Sequence, residues 1–237
     1  PRSMVIASYA FTLLEYLVIM MISFERPSRW SNMDEIGIIG TTLGSFIIVA
    51  LSVFTMIFVL LKRYEEQRKQ LLTLSENLEF AANHDPLTRL YNRRYLVKQV
   101  DEWMRIPGKN FWIILMDVDD FKVVNDTYGH ETGDKVLTEV ATALTNVFRK
   151  EDVIGRYGGD EFVVFMPDIC DQSVIKKRAD SVQKSLNDFK EIQIGTSIGI
   201  ALYPENGTEY ESLFNKADEA MYYSKTHGKG QAHISQK

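Results

Sequence analysis

The chain has 237 residues, 45% of them apolar, which is enough for a sizeable core and suits one large domain or two small ones. Its formal net charge of −5 argues against a general nucleic-acid binder, which would carry a basic face, so no nucleic-acid partner is expected and an anionic ligand must be held locally. The single cysteine, Cys170, excludes an internal disulfide framework and a Cys-based zinc site and suits a reducing compartment.

Met4 to Phe24 is a run of 21 residues, apolar except for Glu15 and a few hydroxyl side chains, and long enough to span a bilayer. A cleaved signal peptide is the rival reading, but no short apolar core ending in Ala-x-Ala is present. A polar stretch of 11 residues follows (25–35), and then Ile36 to Leu61 gives 26 residues without a charge. Together they predict a transmembrane hairpin over residues 1–61, with spans at about 4–24 and 36–61. The basic cluster Lys62, Arg63, Arg68 and Lys69 lies directly after the second span, which predicts that everything beyond Leu61 is cytoplasmic and that the Arg26 to Glu35 loop is on the other side. Gly40 and Gly44 form a small-xxx-small pair able to seat a partner helix. Glu15 is costly in lipid and is expected to face a partner or a sensed ligand.

Residues 62–84 form a helical linker in this reading. Tyr64, Leu71 and Leu78 recur every seven residues with Leu74 and Ala81 between them, a pattern that fits either a short coiled coil or a single amphipathic helix. Asp85-Pro86 ends it, because proline disfavours helix in the residue before it.

A second domain occupies residues 85–237. Asn92 is placed to cap a helix through about Met104. Phe111 to Met116 reads as a buried strand that ends in Asp117-Val118-Asp119-Asp120. Helical patterns follow at about 120–126 and 132–148. The run Arg156-Tyr157-Gly158-Gly159-Asp160-Glu161-Phe162, between the apolar segments Val153-Ile154 and Phe162 to Met166, reads as the tip of a β-hairpin whose two glycines supply positive φ angles and let a ligand approach the backbone. A helix near 172–188, a strand at 192–202 and a helix from about 209–225 complete the pattern. Strands and helices in this mixed order suggest an α+β sheet covered by helices.

Asp117 at a strand end and Asp160 at a hairpin tip can face one gap. Two carboxylates without nearby His or Cys suit a hard, oxygen-seeking ion such as Mg²⁺; singly, each acid also reads as a solvated strand end. Gly129-His130 and Gly133-Asp134 flank a helix start, where free N–H groups favour phosphate. Asn125 and Asp134 are short polar residues able either to read a base edge or to cap a helix. Lys122, Lys225 and Lys229 are candidates for phosphate contacts or for solvated surface.

These runs in order, together with Asp85-Pro86-Leu87-Thr88, Leu90-Tyr91-Asn92-Arg93-Arg94, Asn125-Asp126-Thr127-Tyr128-Gly129-His130, Ser197-Ile198-Gly199-Ile200-Ala201 and Ala217-Asp218-Glu219-Ala220-Met221-Tyr222, resemble a GGDEF-domain diguanylate cyclase over about residues 80–237. The resemblance implies a nucleotide-cyclase, polymerase-palm-like fold that condenses two GTP into cyclic di-GMP with release of pyrophosphate. It implies a homodimer, since each domain holds one GTP. On that pattern Asp117, the carbonyl of Val118 and Asp160 hold Mg²⁺, or Mn²⁺ in its place. Asp160 is also the base towards the 3′-hydroxyl, and Glu161 supports the site. Asn125 and Asp134 read guanine, with Asp134 favouring GTP over ATP, and Lys122, Lys225 and Lys229 meet phosphates. Gly158 and Gly159 pass under the nucleotide, and Phe121 and His130 belong to the same substrate region.

Arg149 and Asp152 match an Arg-x-x-Asp product-inhibition site, where arginine forks onto guanine and aspartate accepts from its N–H groups; a charged helix end is the plainer reading. Two positions depart from the pattern: Arg89 stands where glycine is common, and Lys229-Gly230 where Arg or Lys precedes Asn. The alternative function is a receptor that binds GTP or cyclic di-GMP without turnover, against which the intact Gly-Gly-Asp-Glu-Phe run and Asp117 count. A membrane sensor with an incidental cyclase is a further rival, but the 11-residue loop leaves little room for an external ligand domain.

Overall fold

The computed structural model describes residues 21, 35–187 and 192–236. It divides into two compact units, Pro1–Ser75 and Glu76–Lys237. The expected first span and the polar loop after it lie outside the described residues, apart from Met21 and Glu35. From Glu35 onward the described residues of the first unit belong to one continuous helix, α1, which runs on to Asn83. It is the one helix among the described residues long and apolar enough to cross a membrane, with an 18-residue window of mean hydropathy 2.6 that is not buried among the described residues. The predicted change from membrane span to linker therefore takes place without a break in the helix. Tyr64, Leu71, Leu74 and Leu78 all project outward from it.

The second unit is a six-stranded sheet with helices on both faces. Its elements in order are β1 (Tyr91–Asn92), α2 (Arg93–Met104), β2 (Phe111–Val118), α3 (Phe121–Tyr128), α4 (His130–Val147), β3 (Val153–Gly158), β4 (Glu161–Pro167), α5 (Gln172–Asn187), β5 (Thr196–Tyr203), α6 (Tyr210–Thr226) and β6 (Ala232–Ile234). The spatial order is β1-β3-β4-β2-β5-β6, so β2 is central. It pairs antiparallel with β4 and β5, while the short edge strands β1 and β6 pair parallel with β3 and β5.

Side chains alternate across a strand, and β2 buries both sets, which is why it reads as an unbroken apolar run. Trp112, Ile114, Met116 and Val118 pack under α4 and α5 with Leu137, Leu144, Ile175 and Val182. Phe111, Ile113 and Leu115 pack under α2 and α6 with Leu96, Val100, Leu213, Ala217 and Met221. The next residue on this second face is Asp117. On α6, Leu213, Ala217 and Met221 recur every four residues, and the next step along that stripe is Lys225. Strand and helix periodicity thus deliver an acid and a base to the same end of the same layer.

The strand expected at 192–202 begins at Thr196 instead. Ile194 is buried ahead of it, while Thr196 N–H and Oγ1–H both donate to Gln183 Oε1 on α5. Asn92 caps α2 as expected, its Oδ1 accepting from Tyr95 N–H at 3.1 Å. Arg89 takes a left-handed φ of 62°, a conformation that costs least for glycine, and its guanidinium lies 5.4 Å from the Phe80 ring centre.

Candidate active site

The hairpin tip is tied down at three points. β3 and β4 close through Gly158 opposite Glu161, with an irregularity between Arg156 and Gly158, so the turn itself is Gly159-Asp160. Gly159 alone of the two glycines has a positive φ, 52°; Gly158 ends the strand, which corrects the expectation that both would be left-handed. Val118 N–H donates to the Asp160 carbonyl at 3.2 Å, stitching the turn to the end of β2. Arg156 donates from Nε and Nη2 to the Gly159 carbonyl at 2.8 and 2.7 Å. Its Nη1 reaches Asp85 at 3.3 Å in a pair whose side chains are 16% and 18% exposed. Asp85 also accepts from Thr88 N–H and Oγ1–H, both at 2.8 Å. Burial pushes the Asp85 carboxyl up, but the two Thr88 bonds and Arg156 together hold it below the ordinary value. The turn that enters the domain is thereby joined to the hairpin tip.

This stitching gathers the acids. Asp117 is directly opposite Glu161 on β4 and Ser197 on β5, and Asp160 lies close enough to perturb both Asp117 and Glu161. Asp117 is only 8% exposed. Burial drives its carboxyl above the ordinary aspartate value; Asp160 and Asp119 add to the rise, while a hydrogen bond from Lys225 opposes it. Glu161 is raised too, by burial first and then by Asp117, Asp160 and Asp218. Lys225 Nζ stands 2.8 Å from Asp117 Oδ2, so the lysine expected to meet phosphate is held by a carboxylate.

The next turn carries two acids whose partners were not legible in sequence. Asp119 accepts from Ser197 Oγ–H at 2.6 Å and from Gly230 N–H at 3.0 Å. Asp120 accepts from Lys229 Nζ through both oxygens, at 2.7 and 2.9 Å. Beyond them, α3 and α4 form a corner around Gly129. A Cβ at Gly133 would collide with Asn125 Oδ1 and lie 3.3 Å from the Phe121 ring, so glycine there lets Asn125 fold against the start of α4, beside Asp134. Lys122, His130 and Asp134 are exposed around this corner, as are Gly158 and Gly159 at the hairpin.

Arg149 and Asp152 sit apart from these acids, at the turn before β3. Asp152 is 8% exposed; it accepts from Arg149 N–H at 2.8 Å and pairs with Arg178 of α5. Its carboxylate is therefore engaged within the domain. Arg149 and Lys150 are exposed, and with His84, Arg89 and Tyr91 they border a cavity of about 400 Å³.

Among the described residues no three acid, histidine or cysteine side chains close into a metal cage. The donors at the strand end are carboxylates whose burial and mutual repulsion favour a bound cation, next to the backbone of Val118. An open, oxygen-only set of this kind fits Mg²⁺, which keeps waters and takes phosphate oxygens from a substrate.

A mixed sheet covered on both faces, with acids at the end of its central strand and at a neighbouring hairpin tip, defines a palm-like α+β domain. The chain belongs to the GGDEF family: the family described as "Diguanylate cyclase, GGDEF domain" matches residues 82–231. It is 36% identical over 178 residues to the response regulator PleD of Caulobacter vibrioides, covering 71% of this chain and 38% of that protein. To the probable diguanylate cyclase DgcE of Escherichia coli it is 34% identical over 178 residues, covering 71% of this chain and 16% of that one. The crystal structure of the coiled coil and GGDEF domain of DgcB from Caulobacter crescentus, in complex with c-di-GMP, superposes with a TM-score of 0.66 at 27% identity, over 73% of this chain and 96% of that one. The chain spans well under half the length of these curated relatives.

Asp117 and Glu161 bind protons more tightly in the fold than unfolded, so they destabilise it increasingly as pH rises through the ordinary carboxylate value and above. Glu161→Gln in metal-free buffer at pH 7 should raise unfolding stability by about 1 kcal/mol and flatten that pH dependence, as read from urea melts of the detergent-solubilised chain.

Proposed function

We propose that the protein is a membrane-anchored diguanylate cyclase that joins two GTP molecules into cyclic di-GMP and pyrophosphate. The observation that carries this reading is the gathering of Asp117, Asp160 and Glu161 at one strand end with Lys225 among them. Asp117, Asp160 and the Val118 carbonyl would hold Mg²⁺, or Mn²⁺ in its place. When bound, the ion supplies Lewis-acid polarisation of the α-phosphate and makes the attacking 3′-hydroxyl more acidic. Asp160 accepts the hydroxyl proton, and Glu161 keeps the field of the site negative. Asn125 and Asp134 read the guanine edge in the α3–α4 corner, with Phe121 and His130 bordering it. Gly158 and Gly159 let the phosphates lie against the hairpin backbone, and Lys122, Lys225 and Lys229 balance phosphate charge. Phosphoryl transfer asks for this alignment and neutralisation more than for covalent chemistry.

Each domain offers one such site, and a cyclic product needs two reciprocal attacks, so two chains face each other about a two-fold axis. The outward apolar row Tyr64, Leu71 and Leu78 on α1 supports pairing through the linker. A two-span anchor over residues 1–61, the linker 62–84 and the catalytic domain 85–237 complete the assignment, with the domain in the cytoplasm next to the basic cluster after Leu61. A reporter fused at Lys237 should be active only if it works in the cytoplasm; activity of a periplasm-dependent reporter would overturn this topology. Arg149, with Asp152 behind it, borders the cavity proposed to take product, so Arg149→Ala should abolish inhibition by added cyclic di-GMP, and an unchanged inhibition curve would rule that site out.

The central test is to incubate the purified full chain with GTP and Mg²⁺ and identify the product by mass spectrometry, at several chain concentrations. Cyclic di-GMP should form, at a rate per chain that rises with concentration. Asp160→Asn keeps the volume but removes an anionic ligand and the base, and should raise the barrier by several kcal/mol. Asn125→Ala should instead weaken GTP binding by about 0.5 to 1.5 kcal/mol, the value of a neutral hydrogen bond. A folded Asp160→Asn chain with near-normal kcat would favour a receptor that binds nucleotide without turnover.

A further inference from the structure

Lys229, assigned to nucleotide phosphate in the proposed function, has its ammonium gripped by both oxygens of Asp120, at 2.7 and 2.9 Å. The two residues meet across 109 positions of sequence, and both hold left-handed backbone, with φ of 56° at Asp120 and 58° at Lys229. The loop does not depend on this pair for its course. Gly230 N–H donates to Asp119 at 3.0 Å, and Lys229 N–H donates to the Ser224 carbonyl at 3.1 Å. Both side chains are open to solvent, 47% and 61% exposed, where an ion pair is weak and readily exchanged for a stronger anion.

On the proposed GTP reading, we infer that Asp120 sets the affinity of the site by competing with the nucleotide's phosphates for Lys229. A triphosphate carries more charge than one carboxylate and can draw the ammonium away, but it must break the pair and then tolerate Asp120 beside it. Asp120 acts only through Lys229. It lies one residue beyond Asp119, whose side chain is committed to Ser197 and Gly230.

The test measures binding of 3′-deoxy-GTP, which lacks the attacking hydroxyl, with MgCl₂ by titration calorimetry on the full chain in detergent. Asp120→Asn suits the left-handed backbone, which asparagine tolerates, and Asp120→Gly removes the side chain without strain there. Both should bind the analogue about three- to fivefold more tightly than wild type, the range expected for releasing an exposed pair. In KM and kcat measured with GTP, the change should fall in KM. On a Lys229→Ala background, the Asp120 substitutions should change affinity less than about twofold. Unchanged or weaker binding by both Asp120 variants overturns the inference, and so does equal tightening without Lys229, which would make it a general charge effect. Failure of wild type and every variant to bind the analogue overturns the GTP reading itself, and this inference with it.

Discussion

Repulsion among carboxylates at the end of β2 is the constraint around which the second unit is arranged. Asp117 is nearly buried, Glu161 is opposite it, and Asp160 is brought to the same opening by the bond from Val118 N–H to its carbonyl. Collecting like charges where water is scarce costs stability, as the raised carboxyls of Asp117 and Glu161 show. Proteins accept such a cost where charge must be balanced by something that comes and goes. Within the chain the balance falls to Lys225 on Asp117, with Lys229 on Asp120 one turn away.

The rest of the domain can be understood as what holds this arrangement in place. A sheet buried on both faces fixes the end of β2 in three dimensions, because α4 and α5 cover one set of its side chains and α2 and α6 the other. The four-residue stripe of α6 then sets where Lys225 emerges. Arg156 joins the hairpin tip to Asp85, two residues after the end of α1. Any rearrangement at the end of α1 thus meets the hairpin tip through a largely buried charged contact rather than through solvent.

Much of this was legible in sequence because it rests on local pattern. The unbroken apolar run of Phe111 to Met116, the paired glycines between two apolar segments, and Asn92 before a helical period each follow from neighbours in the chain. The edge strands β1 and β6 were not legible, since strands of two and three residues have no period and exist only by pairing with β3 and β5. Nor were the distant partners of Lys225, Lys229, Asp119, Arg156 and Asp152, which lie from 26 to 111 residues away. Those contacts arise from the fold as a whole. The strand expected from Ile192 failed for a related reason: Ile194 is buried by position, while Thr196 N–H is taken by a side chain of α5 just where the ladder begins.

Cation binding at Asp117 would relieve the repulsion at the end of β2. The measurement is the unfolding stability of the full chain against free Mg²⁺, in wild type and in Asp117→Asn. Selective binding to the folded state should stabilise wild type by an amount that grows with the logarithm of concentration, reaching about 2.7 kcal/mol at a hundredfold excess over the dissociation constant, and should do so little if at all in the variant. An equal Mg²⁺ response in both chains would contradict it, because the cation would then be bound somewhere other than the carboxylates around which the site is built.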